Sequence, residues 1–144
     1  MGLIRTEIEL IRGNDIALVE EGFLEADKIR RITVKALVDS GAYMLVINEE
    51  IKSQLSLKVK GRELATLADG SQKELEVVGP IEVRFKTRRT TVDALVVPGS
   101  AEVLLGAIPM EGMDVLIDPN KQELILPPTR PYVAGTILKG IRQK

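Results

Sequence analysis

The stretch Ala36-Leu37-Val38-Asp39-Ser40-Gly41-Ala42 decides the fold and carries the best candidate for chemistry. Apolar side chains alternate with polar ones from Ile32 to Val38, which predicts a half-buried strand that ends at Asp39. An Asp followed by Ser and Gly suits a sharp loop, because the side-chain oxygens bond to nearby backbone N–H groups and Gly allows close backbone approach. Taken alone, the triplet is also what an ordinary β-turn uses.

Two residue types are missing from the chain and narrow its chemistry. None of the 144 residues is Cys or His. The first absence excludes disulfides, thiolate nucleophiles and cysteine metal sites, and the second excludes Ser-His and Cys-His catalysis and nearly every common zinc site. Proton chemistry must therefore fall to Asp, Glu, Lys or Tyr. We expect neither a metal nor any other cofactor.

Charge and hydropathy limit the partners. A formal charge of −1 gives no electrostatic case for nucleic acid or for an anionic membrane surface. No stretch approaches the roughly 18 apolar residues that span a bilayer. Glu7 and Glu9 follow soon after the N-terminal residues, where a signal peptide would have its apolar core. We expect no nucleic-acid partner, no membrane partner and a cytoplasmic location.

The length of the chain is that of one domain. Because 44% of the residues are hydrophobic but only 3% are aromatic, the core must consist of Val, Ile, Leu and Ala, a composition that favours strands. We assign residues 1–126 to this domain. Residues 127–144 begin with Pro127-Pro128-Thr129-Arg130-Pro131 and are assigned to a Pro-containing C-terminal tail behind a stiff linker.

Short strands separated by turns dominate the pattern. The predicted strands are Ile4–Leu10, Ile16–Glu20 continued by Gly22–Leu24, Ile32–Val38, Met44–Ile47, Arg62–Ala68, Gln72–Val78, Ile81–Phe85, Thr91–Val97, Val103–Leu105, Val115–Ile117 and Glu123–Leu126. Short helices are predicted for Glu49–Leu55, with Asn48 as its N-cap, and for Ala107–Met113. Strands at this regular spacing predict an all-β fold, a closed β-barrel with one or two short helices.

The turns between these strands are also predicted. Gly13-Asn14-Asp15 is expected to turn the chain into the second strand, and Gly79-Pro80 to break the chain before Ile81. Asp69-Gly70 suits a tight hairpin because Gly accepts a positive φ. The basic cluster Arg84–Arg89 is interpreted as a solvated hairpin turn rather than as a phosphate site.

Three features together resemble the retropepsin family of aspartic proteases. The stretch from Ala36 to Ala42 is similar at every position to that family's signature, which is two hydrophobic residues, Asp, Ser or Thr, Gly and Ala. The Asp69-Gly70 hairpin, thirty residues after Asp39, falls where the family has its flap. Val103-Leu104-Leu105-Gly106 and the short helix after it resemble the family's second signature. The resemblance covers residues 33–126 and is strongest to the retroviral-like proteases of cellular genomes, including the ubiquitin-shuttle type.

This resemblance implies a role for each matching residue. Asp39 would be the catalytic residue. The other implied positions are the active-site loop Ser40, Gly41 and Ala42, the flap Ala68, Asp69, Gly70 and Ser71, and the second signature Leu104, Leu105 and Gly106. Viral members often place acidic residues after the Gly-Ala pair and an arginine in the second signature, but this chain has Tyr43, Met44 and Ala107 there. Tyr43 and Met44 are interpreted either as apolar pocket walls or as core.

The Asp-Ser-Gly triplet occurs once, whereas aspartic proteolysis needs two carboxylates that share a proton and a water. We therefore expect a two-fold homodimer in which each subunit supplies Asp39. The substrate would be a peptide or protein segment in extended conformation. Family members interleave their termini at the dimer interface, and the candidates here are Leu3–Leu10 and the hairpin that ends at Leu126. The alternative is a catalytically silent dimerisation or peptide-binding module with the same fold.

Overall fold

The computed structural model describes residues 3–141, and these fold into nine strands and three short α-helices. The strands are β1 (Arg5–Arg12), β2 (Arg31–Val38), β3 (Leu45–Asn48), β4 (Lys58–Thr66), β5 (Gln72–Phe85), β6 (Arg88–Val97), β7 (Leu104–Leu105), β8 (Leu116–Asp118) and β9 (Glu123–Ile125). The helices are α1 (Gly13–Glu20), α2 (Glu49–Gln54) and α3 (Ala107–Met113), and a 3₁₀ turn spans Ala26–Lys28. The first two and last three residues of the predicted domain and tail lie outside the described residues.

Six strands form a closed barrel, as the strand spacing predicted. Their order is β1-β2-β7-β3-β6-β5, and β5 pairs back onto β1. Closure depends on the length of β1, because Arg5–Ile11 pair with β2 while Glu9–Arg12 also pair with β5. The strand β4 extends the sheet beyond β5, and β8 pairs with β9 in a separate two-stranded sheet.

The barrel interior is aliphatic, which confirms the prediction made from composition. Its fully buried members include Ile8, Leu10, Leu45, Ile47, Val78, Ile81, Val83 and Leu105. Phe85 is the one aromatic residue in this described core. Full burial of one such aliphatic side chain stabilises the fold by about 1.5–3 kcal/mol, so the barrel has a sufficient source of stability without a disulfide.

The helix α1 replaces the predicted returning strand Ile16–Leu24, and that prediction was wrong. The turn residue Asp15 is only 3% exposed, and its carboxylate accepts hydrogen bonds from the Arg12 guanidinium at 2.5 Å and from the Arg30 backbone N–H at 2.9 Å. Burial alone would raise the pKa of Asp15, but these two bonds and the positive charges of Arg12 and Arg30 together outweigh it and lower the pKa. This tertiary anchor, rather than local alternation, fixes the segment, and the described residues have three α-helices instead of one or two.

The predicted break at Gly79-Pro80 was also wrong, because β5 continues through it for 14 residues. A register shift against β6 between Val78 and Ile81 absorbs the irregularity as a bulge. A side chain at Gly79 would force Asp93 to move, since a Cβ there would lie 2.2 Å from the Asp93 carboxylate oxygen. One continuous strand therefore belongs both to the barrel and to the hairpin with β4.

The basic cluster forms the predicted hairpin turn, with Lys86 and Thr87 between β5 and β6. Arg88, however, is only 3% exposed, so the prediction that the whole cluster is solvated was wrong for this residue. The predicted N-cap of α2 is confirmed, because Asn48 accepts a hydrogen bond from the Ile51 N–H at 2.9 Å. No helix among residues 3–141 is both long enough and apolar enough to cross a membrane.

Candidate active site

Asp39 directly follows β2 at the rim of the barrel, where the parallel strand β7 lies beside it. The Leu37 N–H donates to the Val103 carbonyl at 2.8 Å, and the Asp39 N–H donates to the Leu105 carbonyl at 3.0 Å. These two bonds continue the β2–β7 ladder up to Asp39. The structure thus brings the first and second sequence signatures together.

Asp39 is half-buried, and its carboxylate accepts few hydrogen bonds. It accepts a hydrogen bond from the Gly41 N–H at 3.0 Å, while the Ala42 N–H donates to the Asp39 carbonyl at 3.1 Å. These bonds close the loop tightly. Among the described residues, no lysine or arginine forms a salt bridge with Asp39. Ser40 and Gly41 are exposed at the tip of the loop.

Gly106 lies under this loop and explains why the second signature ends in glycine. A Cβ at Gly106 would lie 2.3 Å from the Met44 carbonyl oxygen and 2.8 Å from the Ala42 carbonyl oxygen. The two residues that begin α3 hold the same loop, since the Ala107 N–H donates to the Ala42 carbonyl and the Ile108 N–H to the Tyr43 carbonyl, each at 2.9 Å. Free N–H groups of the helix N-terminus therefore become the support of the Asp39 loop.

The predicted flap is the hairpin formed by β4 and the first half of β5. Its tip closes through the Leu67 N–H bonded to the Ser71 carbonyl at 2.8 Å and the Gly70 N–H bonded to the Leu67 carbonyl at 2.9 Å. Gly70 has a φ of 85°, as expected for the turn. The Ser71 hydroxyl and N–H both donate to Asp69 and lower the pKa of that carboxyl. Ala68 is exposed at the tip, and none of the described backbone hydrogen bonds joins the tip to the Asp39 loop.

Tyr43, where the chain departs from the viral pattern, and Ile108 form an exposed apolar rim beside the Asp39 loop. Tyr43 is 75% exposed and Ile108 is 40% exposed, and their backbones are joined by the Ile108–Tyr43 hydrogen bond. Tyr43 therefore does not belong to the core of a single subunit, while Met44 is half-buried. No group of three or more acidic side chains within residues 3–141 is arranged to hold a metal ion.

The ion pair between Arg5 and Glu102, at this end of the barrel, was not predicted from the sequence. Arg5 in β1, which is paired with Leu37, donates to Glu102 at 2.5 Å. The Glu102 carboxylate raises the pKa of Arg5, and the Arg5 guanidinium lowers the pKa of Glu102. Because the partners lie 97 residues apart, no local pattern could have paired them. The pair links β1 to the segment that leads into the second signature.

Comparisons with known proteins agree with this geometry. A sequence model of the family described as aspartyl protease matches residues 28–108, which is more than half of the chain and includes the Asp39 loop, the hairpin and Leu104–Gly106. No curated protein matches the chain. Among solved structures, the retroviral protease-like domain of Ddi1 from Leishmania major is similar, with 19% sequence identity and a TM-score of 0.50 over 66% of this chain and 79% of that one. The chain therefore belongs to the aspartyl protease family and has a retropepsin-like fold.

Proposed function

We propose that the protein is an aspartic endopeptidase that works as a homodimer with one Asp39 from each subunit. The observation that carries this proposal is the Asp39 loop itself. The loop presents a carboxylate without a cationic partner among the described residues, and the Leu105 carbonyl and Gly106 hold it from below. Since one subunit offers one such carboxylate, a second copy must complete the pair.

The chemistry follows from two carboxylates placed a few ångströms apart, which cannot both ionise freely and so retain one proton. The ionised Asp39 takes a proton from water as the water oxygen attacks the scissile carbonyl carbon. The protonated Asp39 gives its proton to the carbonyl oxygen. Collapse of the tetrahedral intermediate then breaks the C–N bond: the amine leaves with the proton that came from the water, and a hydroxyl of the intermediate returns a proton to the Asp39 that had given one, which leaves a carboxylic acid product. Both carboxyl groups return to their starting states.

The proposed substrate is an extended peptide segment held between the Asp39 loops and the flaps. In the sheet order β4 is an edge strand, so its outer N–H and C=O groups have no partner strand among the described residues. An extended peptide adds main-chain hydrogen bonds to such structures and contributes side chains alternately to the two faces. Leu64, which is 64% exposed on β4, gives this hairpin an apolar contact surface.

For the dimer interface, the β8–β9 hairpin is a better candidate than the first strand. β1 already pairs with β2 on one side and, from Glu9 onward, with β5 on the other. The β8–β9 sheet has two strands, so both of its outer edges are open among the described residues. An open edge pairs readily with a second copy of the same chain.

The direct test compares wild-type protein with Asp39→Asn on an unfolded protein substrate from acid to neutral pH. We expect cleavage by the wild type and inhibition by a statin-type transition-state analogue. Asp27→Asn is the matched control, because Asp27 is an exposed aspartate outside the Asp39 loop, the flap and the β8–β9 hairpin. Cleavage by purified Asp39→Asn protein would overturn the assignment.

Dilution tests the requirement for two subunits. Specific activity should fall as the dimer dissociates, because half a site performs no chemistry. A sedimentation experiment that found a fully active monomer would contradict the homodimer. If wild-type protein forms the dimer but cleaves no unfolded protein at any pH, the silent dimerisation or peptide-binding module is the better assignment.

A further inference from the structure

A charged cluster fixes the start of the C-terminal segment to the end of α3. Asp114, directly after α3, has a left-handed backbone with a φ of 54°. Its carboxylate accepts two hydrogen bonds from the Arg130 guanidinium, at 2.7 and 2.9 Å, and one from the Gly135 N–H at 2.8 Å. The hydrogen bonds from Arg130 have the largest effect and the one from the Gly135 N–H the next largest, and they hold the pKa of Asp114 far below its usual range. We call Asp114, Arg130, Gly135 and Arg88 the clasp.

Arg88 completes the clasp from inside the domain. Its side chain is 2% exposed, and one of its terminal nitrogens donates to the Met113 carbonyl at 3.2 Å and to the Asp114 carbonyl at 3.0 Å. The other terminal nitrogen donates to the Arg130 carbonyl. Gly135 fits closely, since a Cβ there would lie 2.5 Å from Arg130 Cδ. A buried arginine that binds three carbonyl groups makes this an anchor built into the fold rather than a surface contact.

Beyond the clasp, residues 136–141 form an exposed apolar segment, here called the arm. Ile137 is 79% exposed, Leu138 is 61% exposed and Ile141 is 71% exposed. Among the described residues, the backbone hydrogen bond of the arm is a local one, from the Ile141 N–H to the Leu138 carbonyl at 3.3 Å. Three large aliphatic side chains that are exposed to water within five consecutive residues indicate a surface that another element covers.

The arm is long enough to reach the Asp39 loop. The clasp lies at the C-terminal end of α3, and the opposite end of this helix, at Ala107, is bonded to the loop at Ala42. Seven helical residues span about 10 Å. Six extended residues reach about 20 Å. The clasp therefore starts the arm within reach of the site, and the three aliphatic side chains match the apolar rim at Tyr43 and Ile108.

We propose that the arm enters the substrate cleft as an extended strand and competes with substrate, an inference that rests on the proposed peptidase. The backbone groups of Thr136 and Ile137, which have no hydrogen-bond partner among the described residues, are the main-chain groups that the flap would bind, and the aliphatic side chains contact the apolar rim. A two-fold dimer has one cleft and two arms, so one arm occupies the cleft at a time. Tethering gives the arm an effective concentration of about 1 mM. An arm peptide with a Kd of about 0.1 mM would then raise the KM for substrate about tenfold and leave kcat unchanged.

The activity test compares the full chain with a chain that ends at Gly135, which keeps every clasp residue. We expect the shortened protein to have an approximately tenfold lower KM for a peptide substrate, with kcat nearly unchanged, because a competitor has been removed. A full-length variant with Ile137, Leu138 and Ile141 all changed to Ser should show the same change, and it serves if the shortened chain does not fold. Equal KM values for all three proteins would overturn the proposal.

A binding test separates the arm from the peptidase proposal, because it needs no turnover. A labelled peptide of residues 134–144 is titrated into the shortened protein with Asp39 unchanged, because a statin-type inhibitor binds through the paired carboxyl groups. We expect one peptide per dimer and displacement by a statin-type inhibitor. Two peptides per dimer, or binding that the inhibitor leaves unchanged, would place the arm elsewhere and overturn the proposal. If the peptide binds as expected while wild-type protein cleaves nothing, the proposed function fails and the docking of the arm stands.

Discussion

Asp39 directly follows a strand and Asp114 directly follows a helix, but the two carboxylates differ in how many hydrogen-bond donors and positive charges surround them. Asp39 accepts one hydrogen bond from its own loop and has no described cationic partner. Asp114 accepts bonds from Arg130, Gly135 and Arg88, and its pKa is strongly lowered. A carboxylate that must hold and release a proton cannot be saturated by arginine, whereas an anchor gains from that saturation.

Local sequence does not separate the two roles. Asp69 and Asp118, like Asp39, accept a bond from the N–H of the residue two places on. Asp39 differs because its loop is supported from another part of the chain, by Leu105 and Gly106. The predictions below test this difference, from the largest expected effect to the smallest.

Substitution of each aspartate by asparagine should separate chemistry from stability. Asp39→Asn removes the proposed proton carrier without a change of shape, so kcat/KM should fall by about 10²–10⁴-fold or more while the melting temperature stays equal or rises. Asp114→Asn should lower the melting temperature, because an amide cannot replace the charge that Arg130 and Arg88 bind. It should keep at least about one third of wild-type kcat/KM, since distant sites act nearly independently. Loss of cleavage in a folded Asp114→Asn protein would contradict the assignment of chemistry to Asp39 and of stability to Asp114.

Gly106→Ala tests the support under the Asp39 loop. The new Cβ would meet two backbone carbonyl oxygens of the loop, which cannot move as a flexible side chain would. We expect a loss of about 1–3 kcal/mol in the free energy of unfolding, measured by denaturant titration, together with reduced cleavage. Gly61→Ala is the control, because a Cβ at Gly61 has open space around it. Equal stability of the two variants would show that the loop is not held from below.

Gly70→Val tests the flap. Gly70 and Gly22 both have positive φ angles, 85° and 82°, and open space around a Cβ, so valine should cause similar backbone strain of roughly 1–2 kcal/mol at either position. We expect kcat/KM to fall about tenfold for Gly70→Val and to change little for Gly22→Val, because only the former lies in the proposed flap. If Gly70→Val and Gly22→Val have similar activities, Gly70 is only a structural turn residue and the flap assignment is wrong.

The pH dependence of stability tests the clasp. Because the pKa of Asp114 is lower in the folded protein than in the unfolded chain, its stabilisation is present above the unfolded value of about 3.9 and is lost as pH falls through the folded value. The difference in unfolding free energy between wild type and Asp114→Asn should therefore be constant from pH 7 to about pH 5 and shrink below pH 4. A difference that grows on acidification would contradict the ionised anchor.

Much of the barrel could be predicted from the sequence. Alternation placed β1 and β2, the Asn48 cap placed α2, and Ala107–Met113 is the observed α3. The helix α1 could not be predicted in this way, because the segment is fixed by Asp15, whose partners include the N–H of Arg30, fifteen residues further on. Arg88 was misjudged for the same reason, since its carbonyl partners lie 25, 26 and 42 residues away.

The sequence by itself determined the strand pattern, the single Asp-Ser-Gly triplet and the exclusion of cysteine and histidine chemistry, because these depend on residue type and on neighbours close in the chain. Only the tertiary structure decided that Asp39 accepts a single hydrogen bond at its carboxylate from the described residues while Asp114 is bound by two arginines and a backbone N–H. It also decided that Gly106 must be glycine and that Arg130 and Gly135 are bound to Asp114, directly after α3. These properties arise from contacts between residues distant in sequence, and such contacts exist only after the barrel has closed.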